Sequence, residues 1–234
     1  PSMAWVVWIL GCLMVGANAW SQEDSVRPSR TRTDGTVVMV DGRPFVIRAI
    51  EYNGEPMNML RDLGFNTLWL SSAPSLDQLR MARESEMWLI APPPTDNGPV
   101  SIDWQYDVVL AWLVGQDVHW LDQDAIRQRV DQIRQVDPRQ DRPVLVQARS
   151  GLADYARFAQ IVCVGRASVG TSFPLTQYGQ WLRVQHDLTQ AYVPLLAEIQ
   201  TELPTTVAEQ AAFFSGVNAP LAIQFAQLRG QVLQ

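Results

Sequence analysis

Lysine is absent from this 234-residue chain, so all 18 basic residues are arginine. Against 24 acidic residues they leave a formal net charge of −6. That balance excludes a protein built to neutralise nucleic-acid phosphates, which needs a basic face. Lysine's absence itself reads as compositional bias before it reads as function. Histidine is scarce too: His119 and His186 are too few and too separated to form a metal-ligand cluster. No G-x-S-x-G elbow occurs, which argues against a serine hydrolase of that type. No G-x-G-x-x-G loop follows the first strand candidate, which weakens an open dinucleotide-binding sheet. Neither a metal nor an organic cofactor is implied. What the chain does have is a hydrophobic fraction of 47% beside 18% charged residues, enough for a packed globular core.

The N-terminus stands apart. "AWVVWILGCLMVG" is uncharged and apolar, and Ala17-Asn18-Ala19 follows as a small-x-small cleavage pattern. The run is shorter than the ~20 residues of a spanning helix, so residues 1–19 are expected to be a secretory signal. The protein would then be secreted or periplasmic. Ile9-Leu10-Gly11-Cys12 also resembles a lipobox, which makes a lipid anchor at Cys12 the competing expectation and the one route to a membrane. Removing residues 1–19 leaves Cys163 as the single cysteine, so no intrachain disulfide forms and stability must come from packing. Its apolar setting, "QIVCVG", predicts a buried, inert thiol. Residues 20–34, "WSQEDSVRPSRTRTD", are polar and aperiodic and read as a tether. Residues 35–234 read as one domain.

Within that domain, Asp41-Gly42 between two β-rich runs signals a hairpin. Strand candidates then recur at 45–50, 66–70, 87–91, 108–114, 143–147, 160–164, 192–199 and 220–225. Helical segments separate them. Met57, Leu60 and Leu63 share a face that ends at Gly64, and Leu76, Leu79 and Ala82 share another. Ile126, Val130 and Ile133 repeat at helical spacing before Pro138, and "TVAEQAAFFSG" adds a short helix. Eight strands alternating with helices predict an α/β fold, a (β/α)8 TIM barrel entered through an N-terminal β-hairpin. The chain opens on Pro1 and stops soon after the eighth strand, so its last helix is expected to be missing and the chain to be part of a longer one.

Two strands carry polar groups where they end. "VLAWLVGQDV" runs from buried aliphatics straight into Gln116 and Asp117. In "YVPLLAEIQTE", Val193, Leu195, Ala197 and Ile199 occupy one face and Leu196, Glu198, Gln200 and Glu202 the other. The uniformly apolar face should meet the helices, which turns Glu198 and Gln200 inward. A carboxylate placed there is costly unless it is paired or functional.

These segments resemble the clan A (β/α)8-barrel glycoside hydrolases. "VDGRPFVIRAIEYNG" is similar to their opening hairpin and first strand, and "LRDLGFNTLWL" to their first helix and second strand. "VLAWLVGQDV" is similar to their fourth strand, and "DPRQDRPVLV" to the approach to strand five. The resemblance implies an enzyme that hydrolyses glycosidic bonds with retention, using two carboxylates ~5 Å apart; the N-terminal signal makes it an exported one. It implies Asp117 as acid/base and Glu198 as nucleophile, with Glu202 as a reserve. Carbohydrate is the implied ligand, with Gln116, Arg48, Glu51, Tyr52, Trp69, Gln200 and Glu202 as the binding set. Gln116-Asp117 stands where the family has Asn-Glu, so both side chains differ by one methylene, in opposite directions. Trp69 stands where many members carry an arginine, Arg166 ends strand six, and Phe225 or Gln227 replaces a strand-eight tryptophan. Trp104 and Trp181, in loop-rich segments, are the candidate sugar platforms; Trp88, Trp112 and Trp120 read as core or wall. The alternative is a non-catalytic barrel that binds glycans or partner proteins.

Overall fold

The N-terminal hairpin expected at Asp41-Gly42 is present, and it is three-stranded. In the computed structural model, which describes residues 30–94, 102–166, 173–189 and 192–200, β1 (Thr31–Asp34), β2 (Val37–Val40) and β3 (Arg43–Pro44) form an antiparallel sheet. Asp41 and Gly42 have φ of 50° and 75°, the left-handed pair that a two-residue primed turn requires. The end of the stretch read as a tether is therefore structured: Thr31–Asp34 pairs along β2, with Thr31 buried. Arg30 closes this corner by gripping Asp41 through two hydrogen bonds of 2.8 and 2.7 Å.

Seven parallel strands follow: β4 (Ala49–Glu51), β5 (Thr67–Trp69), β6 (Trp88–Ala91), β7 (Val109–Val118), β8 (Val144–Ala148), β9 (Ile161–Gly165) and β10 (Leu195–Glu198). Each pairs with the next in chain order. The sheet curls, because Phe45 and Ile47 beside β4 and Leu196 on β10 join one interior cluster with Val38, Val40, Ile90, Leu110, Leu113 and Ile161. The hairpin residues thus sit inside the curl. The result is an α/β half-barrel of the expected order; the eighth strand candidate (220–225) and the helix in "TVAEQAAFFSG" lie outside the described residues.

Helices cover the outer face: α1 (Met57–Asp62), α2 (Leu76–Glu84), α3 (Gln123–Val136), α4 (Leu152–Tyr155) and α5 (Tyr178–Leu188). In α3 all three periodic positions, Ile126, Val130 and Ile133, are buried against the sheet. The stripes of α1 and α2 are narrower than the sequence suggests. Leu63 is 67% exposed because α1 has already ended at Asp62, ahead of left-handed Gly64 (φ 96°). Leu76 is 65% exposed at the first position of α2, where Ser75 and Gln78 form a reciprocal capping box instead.

The "DPRQDRP" segment after α3 is structural. Asp137 leaves the helix in an extended conformation ahead of Pro138. Its buried carboxylate accepts the Trp112 indole N–H at 2.6 Å and pairs with Arg142 at 3.3 Å. The Arg142 guanidinium also stacks on the Trp112 ring, 4.9 Å from its centroid. Burial pushes the Arg142 guanidinium down to about 10 despite Asp137. This network fastens the amino ends of β7 and β8, away from their carboxyl ends.

Candidate functional site at the strand carboxyl ends

The first seven residues of β7 are buried, and the strand then breaks its register twice, between Leu113 and Gly115 and again between Gly115 and Val118. Gly115 permits this: a Cβ there would stand 2.8 Å from Ile126 Cδ1, so α3 packs directly on the backbone. The bulge turns Gln116 and Asp117 out to solvent and puts Asp117 at φ 54°. Aspartate tolerates that left-handed conformation better than most residues, and such strain clusters where geometry serves function.

Asp117 does not cap a helix; Asp122 holds the cap position of α3. Instead Asp117 Oδ1 meets Arg149 Nη2 at 2.6 Å. Arg149 lies just past β8, where its backbone N–H donates to the Val118 carbonyl and its Nη1 donates to the Gly165 carbonyl at 2.8 Å. One guanidinium thereby ties together the carboxyl ends of β7 and β9.

Glu198 ends β10 in register with Gly165. A Cβ on Gly165 would collide with the Glu198 carboxyl, 2.8 Å from its Cδ and closer still to Oε2. The carboxylate therefore lies across bare backbone. Gln147 Nε2 donates to Glu198 Oε2 at 2.7 Å, and the Tyr178 hydroxyl donates to the Glu198 backbone carbonyl at 2.5 Å. Gln147 is 6% exposed, and its Oε1 has no hydrogen-bond partner among the described residues. Arg48 precedes β4 at the amino end of the sheet and is exposed.

Cys163 lies beneath this group and reports it electrostatically. Its thiol is pushed up to about 12, by burial first and then by the Glu198 and Asp117 charges, with Arg149 opposing. The tyrosine of the set is affected alike: burial, then Glu198, raises Tyr178. The thiol is buried and protonated, as the surrounding apolar residues predict.

The remaining expected residues divide. Glu51 is exposed and in register with Trp69, which packs half-buried into the interior cluster, so both occupy the inner side of the sheet. Tyr52 does not line the mouth, since its side chain packs on the outer cluster. Arg48 belongs to the wrong end of the sheet for a strand-carboxyl site. Gln116 is exposed beside Asp117, and Gln200 is half-buried just past β10. Arg166 stacks on Phe173 at 4.0 Å. Glu202, Phe225 and Gln227 lie outside the described residues, as do the N-terminal apolar segment and Cys12.

Both platform tryptophans are displaced from that role. Trp104 is exposed, but it opens the 3-10 turn leading into β7 and stacks under Arg83 of α2, at the amino ends of the strands. Trp181 is half-buried in the outer cluster. Trp120, read as core or wall, is instead 60% exposed just after β7. Gln147, Arg149, Gly165 and Tyr178 were missed. For the first two the signal was present: in "VLVQAR", Leu145, Gln147 and Arg149 alternate on one face just as Leu196 and Glu198 do.

No protein-family profile and no curated protein matches the chain. Solved structures do. A Bacteroides uniformis beta-glucuronidase superimposes with TM-score 0.52 at 14% identity, over 72% of this chain and 26% of the other. A Ruminococcus gnavus b-glucuronidase in complex with an N1-substituted uronic isofagomine gives 0.53 at 13%, over 70% and 36%. An FMN-binding beta-glucuronidase from Facaelibacterium prausnitzii L2-6 gives 0.53 at 14%, over 74% and 34%. The class defined is an α/β fold built on a curled parallel sheet. The chain is similar in fold to beta-glucuronidases, and it spans about a quarter to a third of their length.

Proposed function

We propose that this chain is glycoside hydrolase-like and cleaves glycosidic bonds by a retaining, clan A type mechanism with two carboxylates. The observation that carries the reading is the convergence of Asp117 and Glu198. They end the fourth and seventh strands of one parallel sheet, and Arg149, which pairs with Asp117, also holds the carbonyl of Gly165, the register partner of Glu198. In this reading Glu198 attacks the anomeric carbon and forms a glycosyl ester, while Asp117 gives its proton to the departing oxygen. Asp117 then takes a proton from water, which attacks the same carbon and releases Glu198. Gln147 holds one Glu198 oxygen and leaves the other for attack. Gln116, Glu51 and Trp69 are proposed to meet the sugar. Export by residues 1–19 belongs to the same reading, with lipidation at Cys12 as its rival; sequencing the N-terminus of the exported product distinguishes them.

One observation favours the non-catalytic alternative, a glycan-binding barrel. Arg149 occupies Asp117 Oδ1 at 2.6 Å, and that ion pair must open before Asp117 can protonate a leaving group. Assay of the wild-type chain and of Glu198→Ala against a broad glycoside panel tests the proposal. Cleavage that is lost in the variant supports it. Glycan binding without cleavage, unchanged in Glu198→Ala, supports the alternative.

A further inference from the structure

Trp120 and Leu121 are 60% and 72% exposed, side by side, three and four residues beyond Asp117. A large apolar pair left in water at the rim of a site calls for an explanation. Their loop is held firmly. The Trp120 backbone N–H donates to Ser150 Oγ at 3.1 Å, and the His119 carbonyl accepts the Tyr155 hydroxyl at 2.5 Å. The His119 N–H donates to Asp122 Oδ2 at 2.8 Å. Gly151 completes the seat: at φ 75° it lets the Trp120 Cβ come so near that a Cβ on residue 151 would stand 3.1 Å from it.

The indole thus has a fixed backbone and, among the described residues, an open face. Among the described residues no ring or cation stacks on Trp120, whereas Trp104, equally exposed at the other end of the sheet, carries the Arg83 guanidinium at 4.8 Å. Gln116, Asp117 and His119, exposed hydrogen-bonding groups, lie within four residues of Trp120 along the chain. A flat apolar face near such groups suits a pyranose, which has an apolar C–H face and a hydroxyl rim.

We infer that Trp120 is the stacking platform for a sugar ring on the leaving-group side of the cleaved bond. The inference rests on the proposed role of Asp117, whose proton goes to the leaving oxygen and which therefore marks that side. A protein partner on Trp120 and Leu121 is the competing occupant.

The test compares the wild type, Trp120→Ala, Trp120→Phe and Trp104→Ala on two kinds of probe. Glycosyl fluorides have a single-atom leaving group; cellotetraose, xylotetraose, mannotetraose and laminaritetraose extend a sugar past the cleaved bond. The expected result is a loss of about tenfold in kcat/KM for the responsive tetrasaccharide in Trp120→Ala. The matching fluoride should change less than twofold, Trp120→Phe should restore most of the loss, and Trp104→Ala should behave as wild type. Equal losses on fluoride and tetrasaccharide, or none on either, overturn the platform while leaving the hydrolase reading intact. A wild type that dimerises, and becomes monomeric in Trp120→Ala with unchanged kinetics, also overturns it. A wild type inactive on every probe removes the hydrolase reading, and the platform falls with it.

Discussion

The carboxylate of Glu198 fills the space that a side chain on Gly165 would need, and the two residues are register partners on adjacent parallel strands. Gly165 is therefore a fixed floor under Glu198, and its carbonyl is in turn held by Arg149. Gly165→Ala should push the carboxylate aside, and because the Glu198 Cβ would also stand 2.9 Å from the new Cβ, β10 must shift slightly against β9. On the hydrolase reading kcat/KM falls about 100-fold, the cost of misplacing a reacting group by an ångström. Steady-state kinetics beside a thermal melt check this: activity should drop in a protein that still unfolds cooperatively, with a lowered melting temperature. Unchanged activity contradicts the placement.

Asp117 has a different signature, because removing a proton donor hurts most where the leaving group needs one. Asp117→Asn keeps the shape and tolerates φ 54°. It should slow glycosides with poor leaving groups by about 10²–10⁴-fold and spare activated aryl glycosides by comparison. Rates plotted against leaving-group pKa should steepen. Asp117→Leu, lacking the local hydrogen bonds that ease a left-handed residue, should also cost about 1–3 kcal/mol of stability.

The buried pair at the amino ends should be a matter of stability alone. Asp137→Ala orphans Arg142 and the Trp112 indole N–H together. Breaking such a buried pair costs about 3–5 kcal/mol. Urea unfolding should show that loss, while the molecules that remain folded keep their activity.

Alkaline stability should carry the mark of Cys163. Its thiol sits at about 12 in the folded chain against an ordinary 9.0. Below about 9 both states hold the proton, and the thiol's contribution is fully present. Between 9 and 12 the unfolded chain releases the proton and the folded one does not, so stability is lost as pH rises. Cys163→Ala should flatten that part of the stability profile. The native thiol should also resist aromatic disulfide reagents at pH 8 until urea unfolds the chain.

Much of this was legible in the sequence where one local rule governed. Ile126, Val130 and Ile133 announced a buried helical face, Asp41-Gly42 a primed turn, and the alternation through Leu196 and Glu198 an inward carboxylate. Legibility failed where position within an element, or contact between elements, decided the outcome. Leu63 and Leu76 fit their stripes but sit at helix ends, beyond the reach of the sheet. Trp104 and Trp120 look alike in sequence; which end of the sheet each occupies follows from the strand direction at β7. Arg149 stands 32 residues after Asp117, and only the adjacency of β7 and β8 makes them partners.

The central claim is that Glu198 forms a covalent bond to sugar, and trapping that bond tests it most directly. The wild-type chain would be incubated with activated 2-deoxy-2-fluoro glycosides, which form the glycosyl ester readily and release it slowly. Digestion after arginine and mass spectrometry would then locate the label. The account predicts a single 2-fluoroglycosyl adduct on Glu198, absent from Glu198→Ala and formed more slowly in Gly165→Ala. A label on Glu202, or none with any sugar tested, would contradict it.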